Sequence, residues 1–333
     1  MLDVLGLGSG CQDLLINLSS LPGETGKERK IRMSWQGGGK VPSGVVASAR
    51  LGGNCGIIAT YGNGIYGQFQ KTDFERHHID VSHLLYDENC DTTLVCPVTV
   101  IGLPDRYFFS SELNAPRDAH RVIKPEDLDK EYIQSAKILL ISSYGETEKT
   151  AAGYIREAGG RVVVDADSYR EGADEAASWI DYFIPSEFYY NNRYGSRGIS
   201  MEDALKDLKA RGPRCVIFTM GEKGLVGIDD EGMFALPAFH VDAVDTTGAG
   251  DVFHGSFAYC MSQGMNPREA ARLSSAVSAI KCTRIGGRVG IPTMPVVRKF
   301  METGEIDYSE IDKRVEFYKI FRPTHDLDEG YPG

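Results

Sequence analysis

Residues 241–257 read VDAVDTTGAGDVFHGSF, a polar and glycine-rich loop that runs directly into a long segment of helical period. Gly248, Ala249 and Gly250 carry little or no side chain, so their N–H groups can converge on an anion at the positive end of that helix. Asp251 follows in the first helical turn, where a carboxylate can accept a hydroxyl proton during transfer of a phosphoryl group. The stretch predicts a phosphoryl-transfer site with Asp251 as the general base.

The alternative for this stretch is a turn followed by an ordinary helix N-cap. A cap needs one side-chain acceptor, whereas residues 245–251 contain two Gly, one Ala, two Thr and two Asp. A Walker A loop of the form G-x-x-x-x-G-K-[ST] occurs nowhere in the sequence. We therefore expect an anion-binding loop of another type.

Outward from this loop, short apolar runs alternate with segments of helical period. This pattern is typical of an α/β fold with a mostly parallel central sheet. The predicted strands are 3–7, 56–60, 136–141, 161–165, 182–184 and 215–219. The predicted helices are 42–51, 66–77, 147–158, 201–211, 249–263 and 267–282.

Two stretches, about 27–36 and 93–110, alternate apolar and polar residues with a period of two. Antiparallel strands of that kind do not suit the interior of a parallel sheet, so we expect them to form a small β-sheet lid. The lid would sit on one α/β domain that spans residues 1–303. Residues 304–333 form an acidic, aromatic-rich C-terminal tail without a sheet pattern, which we expect to dock late or fray.

Composition excludes several classes of protein. The chain has 333 residues, of which 42% are hydrophobic, and its 36 Lys and Arg against 47 Asp and Glu give a net charge of −11. This charge does not favour nucleic acid as a partner, and no apolar run is long enough to span a membrane. The seven cysteines form no C-x-x-C pair, so we expect reduced thiols rather than a zinc site. The N-terminus lacks the pattern of a secretory signal, which predicts a cytoplasmic protein.

The run DTTGAGD at 245–251 matches in full the D-T-x-G-A-G-D signature of the ribokinase, or PfkB, carbohydrate kinases. The chain resembles that family from its first strand through Gln36-Gly37-Gly38-Gly39 to KCTRIGG at 281–287. Within the family, the segments VDTTGAGDVFHG and KCTRIGGRVGIP look most like the ketohexokinase and sulfofructose kinase branches. The resemblance implies a ribokinase-like three-layer sandwich with a β-lid, and a homodimer formed through that lid.

The activity that the resemblance implies is that of an ATP-dependent sugar kinase. Such an enzyme would transfer the γ-phosphoryl group of ATP to a hydroxymethyl group of a sugar, with a ketohexose or related sugar favoured. A nucleoside or vitamin kinase of the same superfamily is an alternative, because Tyr107, Phe108 and Phe109 could stack on a base. A catalytically weakened sugar-binding sensor is a second alternative from a different class.

The resemblance also assigns nucleotide-binding residues. It implies that Thr219, Gly221 and Gly224 lie at the phosphates and ribose of ATP, together with Thr246 of the signature. Lys223 in the same turn could meet a phosphate. The structural alternative is a simple turn that joins two strands of a hairpin.

On the sugar side, the resemblance implies that the Asp13 carboxylate accepts hydrogen bonds from sugar hydroxyls. Gly38 and Gly39 match the glycines that let the backbone approach the sugar. Ser43 stands where the family usually has an asparagine, and Arg106 is a polar candidate near the lid. The sugar contact at Ser43 is expected to be shorter or absent.

Cation sites depart from the pattern of the family. Its N-x-x-E motif, which orders Mg²⁺ through water, is altered here to Ser186 and Tyr189, and Glu187 is the nearby carboxylate that could substitute. Many relatives also bind a monovalent cation such as K⁺. The resemblance implies that Asp245, Thr247 and carbonyls near Arg284 and Gly287 could supply oxygen ligands to it.

Overall fold

The structure is a computed structural model that describes residues 1–20, 31–100, 106–110, 120–324 and 331. The strands are β1 (Leu2–Leu7), β2 (Cys11–Leu18), β3 (Arg32–Gly38), β4 (Cys55–Gly62), β5 (Leu84–Asp87), β6 (Leu94–Val100), β7 (Arg106–Ser110), β8 (Ala136–Ile141), β9 (Arg161–Ala166), β10 (Tyr182–Pro185), β11 (Cys215–Thr219), β12 (Leu225–Asp229) and β13 (Gly232–Leu236). The helices are α1 (Lys40–Arg50), α2 (Ile65–Arg76), α3 (Lys130–Gln134), α4 (Glu146–Glu157), α5 (Ala173–Ala176), α6 (Glu187–Arg193), α7 (Met201–Ala210), α8 (Ala249–Ser262), α9 (Pro267–Cys282), α10 (Met294–Thr303) and α11 (Ser309–Phe317). Within these described ranges, no helix combines the length and the apolar character that crossing a bilayer requires.

The large sheet has nine strands in the order β13-β12-β11-β10-β9-β8-β1-β4-β5. The strands from β11 to β5 pair in parallel, whereas β12 and β13 form an antiparallel edge. Its central strands are short, continuous apolar runs, which suit a parallel sheet covered on both faces. Each strand and each helix predicted from the sequence is confirmed, with small differences at the ends.

Each face of the sheet has its own core, because successive side chains of a strand point to opposite faces. On one face Val4 packs in a cluster with apolar residues of α1, α8, α9 and α10. On the other face Leu5 packs in a cluster with residues of α3 to α7. The fold is therefore an α/β three-layer sandwich with a mostly parallel central sheet, as the sequence predicts.

Helices α1 and α8 cross at two glycines. A Cβ atom on Gly255 would overlap the backbone carbonyl of Gly44, so no larger residue fits there. A Cβ atom on Gly44 would lie 2.7 Å from Leu140 Cδ2 and 3.2 Å from the carbonyl oxygen of Asp251. The crossing therefore fixes the separation of α1 from the first turns of α8.

A second, smaller sheet has the order β3-β2-β6-β7. Strands β2 and β3 are antiparallel, as are β6 and β7, whereas β2 and β6 pair in parallel. Strands β3, β6 and β7 lie in the two stretches from which the sequence predicts a lid, and residues 27–30 and 101–105 of those stretches lie outside the described residues. Strand β2 is not anticipated, because the apolar run Leu14-Leu15-Ile16 interrupts its alternation and its partners are distant in sequence.

The C-terminal segment contains helix α11, which docks on the rest of the protein. Ile311 and Tyr318 are buried, and the carbonyl of Tyr318 accepts the N–H of Trp35 in β3 at 2.8 Å. Apolar residues at 311, 315 and 318 share one helical face, which explains the docking. Of the two outcomes that the sequence leaves open for this tail, docking and fraying, α11 and Tyr318 show docking.

Candidate active site

Helix α8 begins at the predicted phosphoryl-transfer loop. Its N-cap, Gly248, has φ 73°, in the left-handed region that favours glycine, and the chain turns sharply there into the helix. Ala249 and Gly250 form the start of the first turn, and Asp251 lies within that turn. The N–H of Ala249 already donates to the carbonyl of Thr246 at 3.1 Å. The structure thus brings all four predicted catalytic residues together at the positive end of one helix.

Asp245 fixes the loop before α8. Its Oδ1 accepts the N–H of Thr247 and its Oδ2 accepts the N–H of Gly286, both at 2.8 Å. Burial acts to raise the pKa of Asp245, but the Lys281 ammonium and these N–H groups hold that pKa below its ordinary value. Asp245 and Thr247 are the residues that the resemblance suggests as cation ligands, and the backbone carbonyls of both accept hydrogen bonds from Lys281 Nζ.

A cleft of about 640 Å³ opens beside this loop. The five predicted nucleotide residues all line it, together with two residues of the α8 N-terminus: Thr219, Gly221, Lys223, Gly224, Thr246, Ala249 and Gly250. The remaining wall is largely apolar and includes Phe239, Val241, Phe253 and Ala279. An apolar cleft with a polar, glycine-rich end suits a small organic ligand that carries phosphates.

The turn between β11 and β12 is both a hairpin turn and part of the predicted nucleotide site, the two interpretations that the sequence leaves open. It joins an antiparallel pair in which Thr219 lies opposite Leu225, and it also lines the cleft. Gly224 has φ 87°, and a Cβ atom there would overlap the carbonyl of Leu236. This close approach is possible only for glycine.

Asp13 lies on β2 of the small sheet rather than in a loop. Its side chain is buried, and Cys11 Sγ donates to its Oδ1 at 3.2 Å. Burial raises the pKa of Asp13 to about 6, against the lowering effects of the Cys11 contact and of Arg288. A Cβ atom on Gly38 would overlap the Asp13 carboxyl, so the predicted sugar-site residues Asp13 and Gly38 are in direct contact.

Gly39 and Ser43 lie at the start of α1. Gly39 is the N-cap of that helix, with φ 96°, and a Cβ atom there would lie 2.7 Å from Gly10 Cα. The Ser43 hydroxyl is buried and accepts a hydrogen bond from Arg288 Nε at 3.3 Å. Arg288 also donates to the carbonyl of Gly38 at 3.0 Å and to Asp73 at 2.6 Å. Ser43 therefore supports Arg288 beneath the predicted sugar site, which the sequence does not anticipate.

Arg106 begins β7, where it pairs with Thr99 of β6. Its side chain lies outside the described residues. The strand places this predicted substrate residue on the small sheet that also carries Asp13.

Two charged residues that the sequence prediction omits, Lys40 and Asp165, act electrostatically on Asp251, and a third, Asp167, is paired with Lys40. Lys40 Nζ is 2.5 Å from an oxygen of Asp167 and 3.9 Å from an oxygen of Asp165. Asp165 and Asp167 follow the buried run of β9, at the carboxyl end of a parallel strand. Since ligands of open α/β sheets bind at that end, the pattern Asp-Ala-Asp after a buried strand is the signal that could have found them.

His254 lies one turn beyond Asp251 and is buried. Its Nδ1 is 2.6 Å from the carbonyl of Gly250 and 3.5 Å from Asp165, and its Nε2 is 2.9 Å from the carbonyl of Ile184. Both nitrogens are thus engaged by the protein, which fixes the ring and couples β10 to the first turn of α8.

The carboxyl of Asp251 is half-buried in this surrounding. Burial first, and then the neighbouring Asp165 carboxylate, raise the pKa of Asp251 to about 7, while Lys40 and His254 act to lower it. Asp13 also acts to raise that pKa, which places the predicted sugar site within electrostatic reach of the predicted base. A general base is most effective when its pKa lies near the working pH.

The structure shows where the residues of the altered motif at 186–189 lie. Ser186 is the N-cap of α6 and accepts the N–H of Phe188 at 3.0 Å, while Tyr189 is buried in the core. Glu187 is partly exposed and accepts a hydrogen bond from Lys223 Nζ at 2.7 Å. Of these residues, only Glu187 offers a carboxylate, and its partner Lys223 lines the cleft.

Comparison with known proteins identifies one family and several similar kinases. The sequence pattern of the pfkB family carbohydrate kinases matches residues 1–294. The chain is 24% identical over 314 residues to a deoxyribokinase of Salmonella typhi, covering 91% of this chain and 100% of the relative. It is similar to the ribokinase of Thermotoga maritima at 25% identity and a TM-score of 0.76, covering 91% of this chain and 100% of that structure.

The fold is also shared with the ribokinase of Arabidopsis thaliana complexed with ribose and ATP. That likeness has a TM-score of 0.72 at 20% sequence identity, and it covers 90% of this chain and 98% of the other.

Proposed function

Because the chain belongs to the pfkB family of carbohydrate kinases, which are phosphotransferases with an alcohol group as acceptor, we propose that it phosphorylates a hydroxymethyl group of a sugar at the expense of ATP. A ketohexose or a related sugar is the favoured acceptor. The relatives include a deoxyribokinase and ribokinases, which supports a sugar as substrate class.

The observation that carries the proposal is the place of Asp251. It stands in the first turn of α8 directly after Ala249 and Gly250, which line the 640 Å³ cleft, and the Asp13 carboxyl is close enough to act on its pKa. ATP bound in the cleft would place its phosphates toward the glycine-rich helix end, where N–H groups and the helix dipole stabilise negative charge. A sugar held by Asp13 would present its hydroxymethyl group to Asp251.

The residues around Asp251 then have defined tasks. Asp251 accepts the proton of the attacking hydroxyl, and its raised pKa makes that transfer favourable near neutral pH. Lys40 is partly exposed and supplies a positive charge beside the carboxylates, where the transferred phosphoryl group would pass. His254 holds the first turn of α8 in place.

Mg²⁺ would find carboxylate donors in Asp167 and Glu187, which are paired here with Lys40 and Lys223. Asp167 and Glu187 are partly exposed carboxylates, and carboxylate oxygens together with phosphate oxygens are the ligands that Mg²⁺ prefers. When bound, Mg²⁺ would neutralise charge on the phosphates of ATP. We propose Asp167 and Glu187 as the residues that would hold it, directly or through water.

The test is ADP release from Mg·ATP with a panel of ketohexoses, sulfofructose, pentoses, sugar acids and nucleosides. We expect acceptor-dependent release that falls about a hundredfold or more in Asp251→Asn. Asp242→Asn is the matched control, because Asp242 is an exposed carboxylate in the loop before the signature. Release with nucleosides alone would favour the nucleoside kinase, and acceptor binding without release would favour the sugar-binding sensor.

We further propose a homodimer formed through the small sheet. Large apolar side chains on its strands are exposed, among them Met33 at 44%, Tyr107 at 47% and Phe109 at 60%. Apolar groups that stay exposed together are typical of interaction surfaces, and we propose a second copy of this chain as the partner here. Light scattering after gel filtration should give twice the mass of the chain, and Phe109→Ser should shift the protein toward the monomer. A monomeric wild type would contradict this part of the proposal.

A further inference from the structure

Lys281 is a fully buried lysine near the C-terminal end of α9. Lysine is rarely buried without a partner that compensates its charge, because removing an ammonium from water is costly. The position of this side chain therefore calls for a specific reason.

The Nζ atom of Lys281 donates to two backbone carbonyls of the DTTGAGD loop. It lies 2.9 Å from the carbonyl oxygen of Asp245 and is also hydrogen-bonded to that of Thr247. The carboxylate of Asp245 balances its charge at longer range, since Lys281 lowers the pKa of that group. The ammonium thus lies against two backbone oxygen atoms of the anion-binding loop, with the Asp245 carboxylate near enough to act on it.

The same face of α9 makes a second contact with this loop. Ser278, one turn before Lys281, donates its hydroxyl to the carbonyl of Ala249 at 2.9 Å. Lys281 and Ser278 together fix the chain from Asp245 to Ala249. The orientation of the N–H groups that would face the transferred phosphoryl group depends on that segment.

A free monovalent cation does not fit here. Hard cations such as K⁺ need several oxygen ligands, and the carbonyls of Asp245 and Thr247 are already bound to an ammonium whose nitrogen lies between them. Both carboxylate oxygens of Asp245 also have N–H donors. The expectation from the sequence that Asp245 and Thr247 hold a monovalent ion therefore conflicts with the side chain of Lys281.

We propose that the Lys281 ammonium is a built-in cation that takes the place of a free monovalent ion, and that it positions the anion-binding loop without one. Lys281 is accordingly a positioning residue, since it acts through the loop. The predicted effect of Lys281 on turnover rests on the proposed function, whereas its predicted effect on ion binding does not.

The first experiment titrates the wild-type protein with K⁺, Na⁺ and NH₄⁺ at saturating Mg²⁺, in a buffer whose only other monovalent cation is tetramethylammonium. We expect phosphoryl transfer to vary less than about twofold, because the ammonium of Lys281 is always present. Saturable activation by K⁺ of tenfold or more would overturn the inference and leave the proposed function intact.

Two variants of Lys281 separate charge from space. Lys281→Ala removes the ammonium and leaves room for an ion, whereas Lys281→Met removes the charge but keeps most of the side chain's length and volume. We expect both to lose about tenfold or more in kcat in tetramethylammonium buffer. K⁺ or NH₄⁺ should restore activity to Lys281→Ala but not to Lys281→Met. Arg272→Ala is the control, because Arg272 is an exposed cation on the same helix.

A thermal melt gives a readout that does not need turnover. K⁺ should raise the Tm of Lys281→Ala and leave the Tm of the wild type and of Lys281→Met unchanged. If the wild type shows no turnover in any buffer, the proposed function fails, and the melt still decides the inference. If Lys281→Ala does not fold, the wild-type titrations of turnover and of Tm decide it. Equal K⁺ effects on all three proteins would contradict it.

Discussion

The carboxyls of Asp251 and Asp13 should shape the pH dependence of turnover. Their pKa values are raised to about 7 and about 6, in both cases chiefly by burial. Asp251 must be ionised to accept the hydroxyl proton, and Asp13 must be ionised to accept hydrogen bonds from two sugar hydroxyls. Activity is therefore lost as the pH falls through these values.

The size of the effect follows from the two ionised fractions. At pH 6 about one Asp251 in eleven and about half of Asp13 are ionised, so kcat/KM should lie about twentyfold below its plateau. At pH 5 the two fractions multiply to a loss of about a thousandfold. The logarithmic profile should have a slope near one between pH 7 and 6 and steepen toward two below pH 6.

The assay measures ADP directly by chromatography from pH 5 to 9 with saturating Mg²⁺. Asp13→Asn should lower kcat/KM at every pH and keep only the limb near pH 7, with a slope of one. Because ionisation of the nucleotide affects both proteins equally, the difference between their profiles reports the protein groups. A profile that is flat down to pH 5, where ordinary carboxyls begin to titrate, would refute the reasoning.

Three further outcomes follow from buried groups. Asp251→Asn should raise the free energy of unfolding at pH 8 by about 1–3 kcal/mol in calorimetry, and the gain should vanish near pH 4. The reason is that a carboxyl whose pKa is raised in the folded state destabilises that state as the pH rises. A Tm of the variant below that of the wild type at pH 8 would contradict this. Gly38→Ala should raise the acceptor KM about tenfold or more and leave the ATP KM within about twofold, because the added methyl group would displace the Asp13 carboxyl. The control is Gly153→Ala, which should change neither KM because Gly153 has open space around it. In urea unfolding, Arg288→Met should lower the free energy of unfolding by about 3–5 kcal/mol, because it leaves the Asp73 carboxylate buried without its guanidinium partner. Tyr318→Phe removes one hydrogen bond to Asp73 and should lower that free energy by about 1–3 kcal/mol. A larger loss in Tyr318→Phe than in Arg288→Met would contradict these assignments.

Local pattern was sufficient to predict the central strands and the helices around them. Apolar runs such as 136–141 and the helical period of 267–282 depend on neighbours in sequence, which the folded structure preserves. The loop at 245–251 was equally legible, because its small residues and its two aspartates are contiguous.

What escaped prediction depends on contacts between distant residues. Lys281 is an ordinary helix residue in sequence, and only the fold brings its Nζ to Thr247. Arg288 reaches Asp73 and Gly38 across more than two hundred residues of chain. Asp165 and Lys40 meet for the same reason. No local period or propensity encodes these pairings, since they arise from tertiary packing.

The glycine contact between α1 and α8 determines which parts of the protein can move. Gly44 and Gly255 are in backbone contact, so the two helices cannot slide closer or tilt without a clash. Lys40 and Ser43 at the start of α1 and Asp251 at the start of α8 therefore travel as one rigid block. A sheet that closed over a bound sugar would be the four-stranded one that carries Asp13, and it would move relative to this block.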